Sequence, residues 1–93
     1  MIIAERVLTS SSDPTKQFVV RISKPVHDSE SDDFFCTYSI IGPNIDVSHN
    51  IFGVDSVQAL QCALNVIGAE LSRIERSFGS LGFCGGDHGF PRP

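Results

Sequence analysis

The sequence predicts an α+β fold: an antiparallel meander sheet of four strands, with a fifth candidate strand near the C-terminus, and one long amphipathic helix packed on one face. Three observations predict it. Short segments rich in branched residues alternate apolar and polar positions through the first half of the chain. Clusters of Ser, Asp, Pro, Gly and Asn separate those segments. After Gly53 the apolar spacing changes from two to three and four, the repeat of a helix. With 93 residues the chain suffices for one core and not for two, so residues 1–93 read as a single domain.

Ile2–Leu8 and Gln17–Ser23 flank the turn formers SSSDPT and predict a hairpin. Phe18, Val20 and Ile22 point one way and Gln17, Val19 and Arg21 the other, so the first three are expected in the core. Pro25 ends that strand, and HDSESDD is too polar to bury, which predicts an exposed loop. Phe34–Ile41 has apolar residues on both faces and is expected to be a central strand, with Phe34, Cys36, Tyr38 and Ile40 sharing one side. Gly42-Pro43-Asn44 supplies a turn into a fourth strand, where Ile45, Val47, His49 and Ile51 alternate with Asp46, Ser48 and Asn50.

The helix is expected over Asp55–Ser77. Asp55 and Gln58 have capping-box spacing: the carboxylate accepts the Gln58 N–H while the Gln58 side chain reaches back. Val57, Leu60, Leu64, Ile67, Leu71 and Ile74 fall within roughly 100° of arc and are expected as the core face. Burying six such side chains contributes roughly 9–18 kcal/mol gross, against about 1 kcal/mol for the cap, so packing decides that the helix exists. Gly68 at the stripe's edge costs about 1 kcal/mol relative to Ala, which predicts a close neighbour there, expected to be a sheet side chain. On the side away from Leu60 and Leu64, Ala59, Cys62, Val66 and Ala69 form a stripe that either the C-terminal tail or a second copy of the chain would cover. After Ser77 come Leu81–Cys84, the fifth candidate strand, and an irregular tail that Phe83 and Phe90 pin down.

The apolar share, 41%, and the charged share, 19%, are those of an ordinary globular protein. The net charge of −4 and the lack of a Lys/Arg cluster argue against nucleic-acid binding. No apolar run approaches the roughly 18 residues of a membrane span, and Glu5 and Arg6 interrupt the N-terminal run where a signal peptide needs its apolar core, so cytoplasmic residence without membrane association is the expectation. Cys36, Cys62 and Cys84 are odd in number and far apart, as expected of reduced thiols.

Chemistry concentrates in the segment Cys84 to Pro91. Cys84 as nucleophile, His88 as base and Asp87 as orienter form the one candidate catalytic set, opposed by a structural reading in which the glycines make turns, Asp87 caps one and His88 is solvated. His27, His49 and His88 show no metal-ligand spacing, so neither metal nor cofactor is expected. His49 reads as a hydrogen-bonded core or edge histidine. The loop from Asp28 to Asp33 fails as a calcium loop, having Asp33 at the sixth position where glycine is required and Ser39 at the twelfth where glutamate is required.

At Gly53–Leu71, GVDSVQALQCALNVIGAEL, together with Gly85–Pro91, GGDHGFP, the chain resembles a family of short bacterial proteins catalogued only as a domain of unknown function. The resemblance covers most of the chain and is most specific in the helix segment. It implies a compact bacterial domain and supplies no catalytic residues. Three readings of function stand at this point: a non-enzymatic protein-interaction module of immunity or regulatory type, favoured by small size and acidity; a small enzyme or ligand-binding protein using Cys84, Asp87 and His88; and a self-associating domain using Ala59, Cys62, Val66 and Ala69.

Overall fold

Turn chemistry sets the register of the sheet. A computed structural model describes Met1–Pro93. Strands β1 (Ile2–Ser10) and β2 (Gln17–Ser23) form the first hairpin. In its loop the Asp13 carboxylate accepts the Thr15 N–H at 3.1 Å and the Thr15 hydroxyl at 2.6 Å, an Asx turn that reverses the chain. That loop places Leu8 opposite Phe18, Arg6 opposite Val20 and Ala4 opposite Ile22. The expected loop at 26–33 contains a two-residue strand, β3 (Val26–His27), and then a turn in which the Asp28 carboxylate accepts the Ser31 hydroxyl at 2.8 Å.

Strands β4 (Phe34–Gly42) and β5 (Ile45–Gly53) form the second hairpin across Pro43 and Asn44, where Asn44 takes the positive φ of 59° that a type II turn needs. β2 pairs with β4, β3 continues beside β4 beyond the end of β2, and β5 pairs with β4 alone. The predicted four-strand meander is therefore β1-β2-β4-β5. The fifth candidate forms as β6 (Leu81–Phe83), which pairs with β1 and with a two-residue β7 (Gly86–Asp87).

Two residues, Val54 and Asp55, separate β5 from helix α1 (Ser56–Phe78). Asp55 accepts the Gln58 N–H at 2.8 Å as expected, while the Gln58 side chain reaches back to the Val54 N–H at 2.7 Å, one residue beyond the N-cap. At the other end Ser10 and Ser12 donate their hydroxyls to the Phe78 carbonyl, and Gly79, at φ 77°, returns its N–H to Glu75. These bonds satisfy carbonyls that a helix terminus otherwise leaves orphaned.

The core joins Leu8, Phe18, Val20, Ile22, Cys36, Tyr38 and Ile40 from the sheet to Ala59, Ala63, Ile67, Leu71 and Ile74 from the helix. The expected stripe thus holds in its C-terminal half and is corrected in its N-terminal half. Val57 is 61% exposed, and Leu60 and Leu64 are only half-buried. The reason is distance. A Cβ on Gly53 would overlap the Ala59 backbone, so the first turns of α1 lie too close to the end of β5 for anything larger than alanine to point straight down. No helix is long and apolar enough to cross a membrane.

Candidate functional site

The C-terminal segment folds back on the helix. Cys84 and Gly85 turn the chain between β6 and β7 with φ of 52° and 78°. Gly89, at φ 85°, turns it again and sends Phe90, Pro91 and Arg92 along α1. There Gly68 shows its purpose: a side chain on it would overlap the Pro91 carbonyl oxygen. The close neighbour is therefore tail backbone and not the expected sheet side chain. Arg92 pairs with Glu75 at 2.9 Å and with Asp87, tying the end of the chain to the helix. Burial alone would raise the Glu75 carboxyl, but the Arg92 guanidinium and the Leu81 N–H outweigh it and hold the group below its ordinary value. Arg92, and next the Gly89 N–H, likewise hold Asp87 low.

His88 is wholly buried by this fold-back, which corrects the expectation of a solvated imidazole. Its Nδ1 accepts the Phe90 N–H at 3.0 Å, which assigns the ring proton to Nε2 in the neutral form. Nε2 itself has no partner in the chain, and neither has the buried Ser72 hydroxyl on α1. Cys84 does not share this burial. It is exposed and lines a shallow depression of about 300 Å³ with Thr9, Ser10, Ser80 and three glycines. No hydrogen bond joins Cys84 to His88, and Asp87 approaches His88 Nδ1 only at 3.8 Å. A thiol open to water and an enclosed imidazole do not form the contact that activates a nucleophile. No three His, Cys, Asp or Glu side chains converge in the chain. His27 pairs with Asp32 at 2.8 Å, and exposed His49 packs its ring beside Tyr38 at 5.8 Å.

The four residues expected on the back of the helix do not share one surface. Ala59 is fully buried in the core, Cys62 is half-buried, and Val66 and Ala69 are exposed. The rotation of α1 that lifts Val57 into solvent is the one that carries Ala59 under the helix.

A groove that sequence reasoning missed lies between α1 and the tail, above the core-facing side of β1 and β2. Its volume is about 450 Å³. Ala4, Val20 and Ile22 form the floor, Leu64 one wall, and Phe90 and Pro91 the other. Arg6 enters it from an inward-facing strand position. Its guanidinium lies 4.2 Å from the Phe83 ring centroid and 5.3 Å from that of Phe90, and it donates to the His88 carbonyl at 2.9 Å. The signal was present in the sequence: in β1 the alternation Ala4, Arg6, Leu8, Ser10 puts a charge where an apolar residue is expected.

Residues 4–92 match the model of the family described as a domain of unknown function, DUF6968. The chain belongs to this family. No curated protein and no solved structure matches it.

The edges of this DUF6968 domain differ in kind. Beyond β6, the N-terminal half of β1 is open, but a register shift between Ile2 and Ala4 bends it and Arg6 points a charge inward, two devices that discourage strand pairing. At that side the sheet ends in the two residues of β7. β5 has none of these protections. It runs nine residues in unbroken register with β4 and contains no lysine, arginine or proline. Closure by a two-residue turn makes Gly42 and Ile45 a hydrogen-bonded pair, so Asp46, Ser48, Asn50 and Phe52 turn their backbone groups away from β4.

Proposed function

We propose that this chain is a non-enzymatic protein-interaction module, of regulatory or immunity type, that takes an extended segment of its partner alongside β5. One observation carries the reading: the sheet guards one edge with a register shift, an inward charge and short strands, and leaves the other nine residues long, in unbroken register and without proline, lysine or arginine. Strand addition to such an edge draws affinity from main-chain hydrogen bonds and specificity from alternate side chains. The exposure of Cys84, the burial of His88 and the lack of a hydrogen bond between them support the non-enzymatic part of the reading.

Selection of displayed nine-residue peptides, the length of β5, tests it. Binders are expected to alternate apolar and polar residues and to be lost on Ser48→Pro, because proline removes an outward N–H and leaves the ladder to β4 intact. Ser48→Lys, which keeps the N–H and adds an edge charge, should weaken them less. A dimer seen by light scattering and abolished by Ser48→Pro would make a second copy the occupant of the same edge. Binders indifferent to both substitutions would refute strand addition.

A further inference from the structure

We infer that the groove between α1 and the C-terminal tail binds a small amphipathic monocarboxylate, with Arg6 receiving the carboxylate and the apolar floor receiving the body. This site lies over β1 and β2, separated from β5 by β4, and does not depend on strand addition.

The charge ledger of the chain points to it. Arg21 pairs with Glu5 at 2.7 Å, Arg73 with Glu70 at 2.9 Å, and Arg92 with Glu75 and Asp87. Of the arginines without a carboxylate, Arg76 is exposed on the last turn of α1 and its charge is solvated. Arg6 is half-buried, on the core-facing side of the sheet, in a protein with an excess of acids. A guanidinium offers five N–H donors, and only Nη1 is used, on the His88 carbonyl. The rings of Phe83 and Phe90 stabilise the cation by their π faces and take up none of its N–H donors. Glu5 also lines the groove, but its carboxylate is already committed to Arg21.

The rest of the lining selects the class of ligand. Ala4, Val20, Ile22 and Leu64 offer no hydrogen bonds, so the part of the ligand lying on them is apolar. One guanidinium with no second cation in the groove matches a single carboxylate, which it can engage with two parallel N–H donors. At about 450 Å³ the groove is within the range of small-molecule sites.

Titration of the full chain with octanoate and, separately, 1-octanol, followed by backbone amide NMR, tests the inference. Octanoate is expected to give saturable shifts at Ala4, Ile22, Leu64 and Gly89 and to bind at least about tenfold more tightly than octanol, the value of a charge-assisted hydrogen bond. Arg6→Gln should bring octanoate down to the octanol level. Leu64→Trp keeps Arg6 and fills the groove, and should abolish both responses. Equal affinity for the acid and the alcohol, shifts that survive Leu64→Trp, or no saturable shift with octanoate would each overturn it. The comparison of the two ligands uses the unaltered protein, so it stands even where Arg6→Gln loosens the tail.

Discussion

Gly68→Ala sets two effects of opposite sign against each other. In an exposed helix interior the change would stabilise by about 1 kcal/mol, because alanine loses less backbone entropy than glycine. Here the new methyl would overlap the Pro91 carbonyl oxygen, a backbone atom that cannot swing aside as the end of a side chain can. Overpacking costs typically 1–3 kcal/mol, and a backbone obstacle places this site near the upper figure. The net expectation is a loss of about 2 kcal/mol, which in a domain of this size lowers the melting temperature by roughly 8–16 °C. Hydrogen exchange supplies the second readout. The Phe90 N–H, bonded to His88 Nδ1, should exchange faster in the variant because the overlap is relieved by lifting the tail. A variant about 1 kcal/mol more stable than the parent, with Phe90 still protected, would refute the claim that Gly68 exists to admit the tail.

Three further outcomes follow from placement and charge. Ile67→Ala should cost roughly 2–5 kcal/mol in urea unfolding, whereas Val57→Ala, at a position 61% exposed, should stay within about 0.5 kcal/mol. Because Glu75 and Asp87 are held below their ordinary values of 4.5 and 3.8, their ion pairs stabilise the fold above those values, and the contribution is lost as pH falls through the lower folded ones. Arg92→Ala should therefore lower the urea midpoint most above those values and shrink the acid limb of the profile, because less stability is left to lose when the two carboxylates are protonated. Under native conditions iodoacetamide should label exposed Cys84 first, Cys62 more slowly and Cys36 last; burial pushes the Cys36 thiol up, and it donates to the Ser23 carbonyl at 3.3 Å.

What was legible in the sequence was what alternation and turn chemistry encode locally. Gln17–Ser23 has the predicted limits, the faces of β2 and β4 are as read, and Asp55 caps the helix. The rotation of α1 was not legible, because a periodicity of large apolar residues marks where bulk can be buried, not where backbones come closest. Close approach is written in Gly53, Ala59 and Ala63, residues whose small size carries little weight in a hydrophobic pattern. Gly68 did signal a contact, yet its partner lies 23 residues along the chain in a segment without periodicity, so its nature could not be read. The burial of His88 is hidden from the sequence for the same reason: it depends on the tail docking against the helix beyond the turn at Gly89, a tertiary event.

The tail that buries His88 is also one wall of the groove, which makes its docking and ligand binding a single linked equilibrium. Gly89, Phe90 and Pro91 line the groove only while the tail lies on α1. A ligand that touches them binds the docked form better, so it must stabilise docking by the same free energy that docking contributes to its binding. Gly68 is not itself part of the groove's lining, yet Gly68→Ala, by lifting Pro91 and the rest of the tail, should weaken octanoate in proportion to the docked fraction, about tenfold where one molecule in ten keeps its tail in place. Saturating octanoate should in turn slow exchange of the Phe90 N–H in the parent and restore part of that protection in the variant. Octanoate affinity unchanged by Gly68→Ala, in a variant whose Phe90 amide has been shown to open, would mean that the tail is not a wall of the ligand site, and would leave Arg6 and the sheet floor to bind alone.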